Sequence, residues 1–162
     1  MTPLVAGAVL AIAATFLVSR LSATVVARVS GVDVWYHLIC AREMRGQKRL
    51  DPDLGSYFEF EPASRYPPVL AALLTLFPEP FLSRWSVWIG VCIDAAHLLV
   101  LWLLADTLFG IEVAMVASAI YAIHPTLGLE YSILSPRGLA SLFVTGYFLS
   151  IFAAQAGLGP LF

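Results

Sequence analysis

Charge is what this sequence is short of. Only 12% of its 162 residues are Asp, Glu, Lys or Arg, against roughly 25% in an ordinary soluble domain. A surface that poor in charge excludes a soluble globular protein, although the length would suit a single domain. The nine basic residues form no stripe interleaved with aromatics and the net charge is −2, which removes nucleic acid as a partner. Two cysteines, Cys40 and Cys92, fall in a polar stretch and an apolar run respectively. They make neither a disulfide framework nor a metal motif, and read as small hydrophobes. No basic segment precedes the first apolar run and no small-residue cleavage site follows it. Met1-Thr2-Pro3 therefore leads into a retained first span, which can double as the targeting signal. Internal repeats and low-complexity tracts are missing as well.

What remains is apolar. Hydrophobic residues make up 60% of the chain and the mean hydropathy is +0.86. The expectation is an all-α, polytopic membrane protein of the cell membrane, with membrane lipid around it. Four transmembrane helices are predicted, near 3–27, 82–108, 111–125 and 138–154. A large structured loop with interfacial helices, residues 28–81, separates the first two. The first helix would be about 37 Å long at 1.5 Å per residue, enough to cross the hydrocarbon with tilt. Arg20, in its last third, is expected to snorkel toward the interface; the alternative is a protein interior. Val69 to Phe77 is too short to span and reads as a re-entrant or interfacial helix ending at Pro78-Glu79-Pro80. In the third span, Ala114, Ser118 and Ala122 have the small-xxx-small spacing that lets membrane helices approach closely.

Gly31 to Arg49, GVDVWYHLICAREMRGQKR, is the first departure from continuous apolar sequence. Val32 to Arg45 fits a helix with Gly46 as its C′ stop. Asp33, Tyr36, His37, Cys40, Ala41 and Met44 share one broad face, and a helix buried among others at the interface suits that face. Residues 47–67 carry turn formers and read as loop. Asp33 is the leading candidate for chemistry: a general base, or a hard oxygen ligand for a divalent cation such as Mg or Mn. An N-cap would also account for it, although no Glu or Gln stands at Tyr36 to complete a capping box. His37 lies one turn on, within reach of the same ligand, or is a hydrogen-bonded packing residue. Trp35 and Tyr36 suit interface anchoring. Asp94 and His97, at i,i+3 inside a span, are costly there; they form either a helix-joining hydrogen-bonded pair or part of a proton path. Arg137, after Pro136, has the fork that suits a lipid phosphate, or is a solvent-facing end residue. Arg42, Arg45, Lys48 and Arg49 can follow lipid headgroups.

Asp33-Val34-Trp35-Tyr36-His37-Leu38, followed by Ala41-Arg42-Glu43-Met44 and Gly46, resembles the first non-cytoplasmic loop of the GT-C superfamily. These are membrane glycosyltransferases that use polyprenyl-phosphate or polyprenyl-diphosphate sugars. Asp-x-x-Tyr-His is similar to the catalytic subunit of oligosaccharyltransferase, and Ala-Arg-Glu-Met to protein mannosyltransferase-like and aminoarabinose transferase-like members. Asp51 to Tyr57, and Tyr66-Pro67-Pro68 before an apolar helix, resemble the rest of that loop. The resemblance implies sugar transfer with inversion from a polyprenyl-phosphate-linked donor. In it Asp33 serves as base, acceptor-orienting group or metal ligand, Tyr36 and His37 as substrate contacts, and Arg137 as a contact for the donor phosphate. Residues 130–137 hold one carboxylate, Glu130, where oligosaccharyltransferases have an acidic pair, which argues for a monosaccharide donor. Such enzymes use about a dozen spans. The chain is thus expected to be an N-terminal part, inactive without further helices or partner subunits.

Orientation is contested within the sequence. Arg28, Arg42, Arg45, Lys48, Arg49, Arg65, Arg84 and Arg137 crowd the side of the large loop, which by the positive-inside rule is cytoplasmic. The family resemblance implies the opposite face and is preferred, because arginines packed into a structured helix are a weaker topology signal than a loose basic loop. The alternative to a transferase is a non-enzymatic membrane subunit or transporter fragment using Asp94 and His97.

Overall fold

The computed structural model describes residues 3–30, 32–54, 68–124 and 134–155. These form six helices and no strand: α1 Pro3–Ser30, α2 Val32–Gln47, α3 Val69–Leu74, α4 Glu79–Phe109, α5 Ile111–Ile123 and α6 Pro136–Gln155. The protein is all-α, as its composition demands. Tyr57, Tyr66, Pro67 and Glu130, which entered the resemblance, lie outside the described residues.

Among the described residues, three helices carry a stretch long and apolar enough to cross a membrane: Val5–Ser22, Trp88–Phe109 and Pro136–Gln155. The sequence suggested four. The helix expected over 111–125 has 13 residues, about 20 Å, against roughly 30 Å of hydrocarbon. Its end has a local cause. His124 precedes Pro125 and is extended at φ −71, ψ 115, because proline disfavours α geometry in the residue before it.

α4 is the central element, packed along both α5 and α6, while α1 lies against α5. Gly110 joins α4 to α5 at φ 86, ψ 171, a conformation only glycine adopts without strain. The two helices therefore form a hairpin. Ala114, Ser118 and Ala122 are fully buried, as their spacing predicts. Phe16 of α1 packs with Tyr121 and Ala122 of α5, and Ile12, Leu98 and Leu101 close this core.

α2 and α3 sit together at the other end of the bundle. α1 stops at Ser30 and α2 starts at Val32, with Cys40, Ala41 and Met44 buried and Trp35 exposed. That is the burial expected from its sequence face. The stop differs from expectation. Gly46 remains helical, and Lys48 takes the left-handed position at φ 52. Arg49 N–H then donates to Met44 O at 3.3 Å, the six-to-one bond of a Schellman motif. Gln47 holds the turn: its Nε2 donates to Asp53 O at 3.0 Å and its Oε1 accepts from Asp53 N–H at 2.8 Å. This clasp brings Leu54 back into a cluster with Cys40, Met44 and Ala71. Leu70 and Leu74 of α3 join Ala41, Leu82, Leu134 and Leu139 in a second cluster, which ties the loop to the starts of α4 and α6.

Candidate functional site

Two polar groupings emerge, one at the bundle end and one inside it. At the end, Asp33 is the second residue of α2, inside the first turn rather than at the cap. An acidic residue there still suits the helix dipole. His37 is 1% exposed, with the Tyr36 ring edge-on to it at 5.2 Å. The histidine faces the packed interior, so a ligand reaches it only if α2 shifts. Tyr36 is half-buried and Arg137, at the start of α6, is exposed. The Leu134–Leu139 packing against α3 brings Arg137 to the same end of the bundle as α2. Burial pushes the Cys40 thiol up, partly offset by a hydrogen bond with Tyr36. Cys40 is buried, Cys92 is exposed, and both are free thiols. Among the described residues no three or more His, Cys, Asp or Glu gather to hold a metal ion.

Two of the loop arginines, Arg45 and Arg42, are engaged by protein. Arg45 Nη2 donates to Thr75 O at 3.2 Å, to Leu74 O at 3.5 Å and to Phe77 O, so it holds the turn that follows α3. Arg42 pairs with Glu79 at 3.7 Å on the exposed surface.

Inside the bundle the sequence expectation for Arg20 is overturned. Arg20 does not snorkel; it is fully buried. Its Nε donates to Asp94 Oδ2 at 2.6 Å. Nη1 donates to Ser19 Oγ at 3.0 Å and Ala122 O at 3.4 Å, and Nη2 to Tyr121 O at 3.2 Å. The guanidinium also lies 4.7 Å from the centroid of the Phe16 ring. Tyr121 O and Ala122 O belong to the last turn of α5, where no intrahelical donor remains. The helix that Pro125 ends thus has its last carbonyls satisfied by an arginine, and a cation at a helix C-terminus is favoured by the dipole.

The chain of bonds continues past Asp94. Tyr121 Oη–H donates to Asp94 Oδ1, and the Tyr121 oxygen lies 3.0 Å from His97 Nδ1. His97 Nε2 lies 3.1 Å from Thr145 Oγ1. Because the tyrosine proton points to Asp94, a neutral His97 carries its proton on Nδ1 and accepts from Thr145 at Nε2. Asp94 and His97 are therefore joined through Tyr121, not as the simple pair their spacing suggested. Five side chains from α1, α4, α5 and α6 form one continuous chain.

Tyr121 and Thr145 are the members that sequence reasoning missed, and a signal for the turn of Arg20 into the bundle existed. Arg20 lies seventeen residues from Pro3, the start of α1, and Asp94 fifteen from Phe109, the end of α4. At 1.5 Å per residue the charges sit about 25 and 22 Å from those ends. Opposite charges at similar depth in antiparallel helices predict a pair. No family model, curated protein or solved structure matches the chain.

Proposed function

We propose that this chain is the N-terminal part of a membrane glycosyltransferase of the GT-C kind, acting at the non-cytoplasmic face on a polyprenyl-phosphate-linked sugar. One observation carries the reading. Asp33 occupies the first turn of a helix that follows a candidate membrane span and packs at the bundle end where Arg137 is the second residue of α6. A carboxylate and a phosphate-binding fork at one membrane edge are what transfer from a lipid-borne donor requires. The acceptor hydroxyl or amine loses its proton to Asp33 and attacks the anomeric carbon. The bond to the lipid phosphate breaks with inversion, and Arg137 stabilises the departing charge. The single carboxylate of residues 130–137 favours a monosaccharide donor.

A divalent cation at Asp33 would need donors other than the buried His37, and no step here depends on one. Engagement of Arg42 and Arg45 by Glu79 and α3 supports the non-cytoplasmic orientation, since these cations are already used by the protein.

A second reading takes the intramembrane chain through Asp94 and His97 as the working part of a transporter fragment or accessory subunit. Saturation of Asp94 by Arg20 and Tyr121, at full burial, suits a structural role better than a conducting one.

The test uses the longest protein containing this segment, reconstituted in liposomes with undecaprenyl-phosphate- and dolichyl-phosphate-linked hexoses and pentoses. Release of polyprenyl phosphate and transfer of labelled sugar are followed. Asp33→Asn should lower kcat by about 10²–10⁴-fold, the usual worth of a general base. Asp94→Asn, compared at equal amounts of folded protein, should retain transfer. Unaltered turnover in Asp33→Asn, or no wild-type turnover of any such donor, would defeat the proposal.

A further inference from the structure

The loop-side end of α4 carries an aromatic ladder that the sugar-transfer reading does not use. Phe77 and Phe81 stack with centroids 5.4 Å apart and Phe81 and Trp85 at 6.3 Å. All three are about two-fifths exposed, and Leu76 beside them is 76% exposed. Phe81, Trp85 and Trp88 follow at i, i+4 and i+7 and so share one helix face. The Arg84 guanidinium lies 5.9 Å from the centroid of the Trp85 ring. It is exposed and enters no ion pair among the described residues, whereas the nearby acid, Glu79, is taken by Arg42.

Depth says what covers this surface. α4 has 31 residues, about 46 Å, which matches the roughly 40–45 Å of a bilayer with its headgroups. Centred on about 30 Å of hydrocarbon, the helix has about 8 Å, roughly five residues, left over at each end. At this end those are residues 79–83, so Phe81 lies in the headgroup layer, where aromatic rings are favoured, with Arg84 and Trp85 at its inner edge. Side chains on a helix lean toward its N-terminus, which for α4 is outward, and Arg84 is thereby carried toward the phosphates.

We propose that the α3–α4 elbow is a lipid-phosphate site. Arg84, steadied on Trp85, takes the phosphodiester of an anionic bilayer phospholipid. Trp85 and Trp88, deeper along α4 and both exposed, lie against that lipid's glycerol backbone and upper chains. A guanidinium suits the site because its fork meets phosphate oxygens while its face stays on the ring.

The experiment uses the full chain in vesicles of phosphatidylcholine mixed with phosphatidylglycerol, with Trp85 as the single tryptophan. Lipids brominated near the headgroup should quench Trp85 more strongly than lipids brominated near the chain ends. With spin-labelled lipids, Arg84→Gln should lower the excess of immobilised phosphatidylglycerol over phosphatidylcholine about fivefold, the share one membrane-surface arginine contributes. Helix content by circular dichroism should stay constant, since Arg84 is exposed. Quenching of Trp85 by aqueous iodide but not by bromolipid would mean that water or a protein partner covers the elbow, and the proposal would fall. An unchanged phosphatidylglycerol preference in Arg84→Gln would overturn it equally.

Discussion

Removing one charge of the Arg20–Asp94 pair should cost far more than removing both. Each group is fully buried, and a buried pair broken on one side leaves an uncompensated charge worth about 3–5 kcal/mol. Arg20→Met and Asp94→Leu should each destabilise by that much. If they acted independently, the double variant would lose their sum, about 6–10 kcal/mol. Instead no charge is left behind in the double variant, and two smaller losses remain. The α5 carbonyls of Tyr121 and Ala122 lose their guanidinium donors, and the Tyr121 hydroxyl loses its acceptor. Each of these groups left without its partner costs about 1–3 kcal/mol, and apolar replacement of a buried ion pair returns about 1–4 kcal/mol, so the double variant is expected to lose only a few kcal/mol, less than the sum. Unfolding equilibria in mixed micelles or bicelles, with the four proteins compared as a thermodynamic cycle, measure the coupling. Arg20→Lys should fall between wild type and Arg20→Met, because an ammonium reaches the carboxylate but does not fork to both carbonyls. Additivity of the two single losses within about 0.5 kcal/mol would show that the charges do not meet in the membrane.

Further outcomes follow from single positions. Gly110→Ala should destabilise by about 1–3 kcal/mol through its positive φ alone, since nothing lies within 4 Å of an added Cβ. Gly146→Ala, within α6 and equally open, should stabilise by up to about 1 kcal/mol; the same unfolding assay reads both signs. Arg45→Ala should loosen the turn that follows α3 and raise hydrogen exchange over residues 69–77, whereas Arg42→Ala, breaking an exposed pair at 3.7 Å, should change stability by about 0.5 kcal/mol or less. Burial raises the Cys40 thiol, so in a Cys92→Ser background its alkylation should still be climbing at pH values where an ordinary thiol has levelled off. The folded state then binds more protons than the unfolded one, and stability attributable to Cys40 is present below the ordinary thiol range and lost as pH rises through it.

Much of the architecture could be read from residue order. Pro78-Glu79-Pro80, Gly110 and Pro125 mark helix ends that the structure confirms, because proline and glycine act on their own and adjacent backbone. The buried face of α2 follows from periodicity, which depends only on helical geometry. Gly46 misled the reading of where α2 stops. The side chain of Gln47 clasps Asp53 and moves the left-handed position to Lys48, an effect that propensity does not encode. His37 shows a similar limit: its spacing from Asp33 suggests a shared ligand, but its burial depends on which helices cover α2.

Taken alone, the sequence determined that this is a helical membrane protein, where its main helices run, and which face of α2 turns inward. These follow from quantities summed over neighbouring residues. Only tertiary structure decided that Arg20 turns into the bundle, that it meets Asp94 and caps the last carbonyls of α5, and that Tyr121 links Asp94 to His97 and Thr145. Those contacts depend on the rotation and relative depth of four helices far apart in sequence. Two charges isolated in separate apolar runs are each unfavourable, and become tolerable only when the fold brings them into contact.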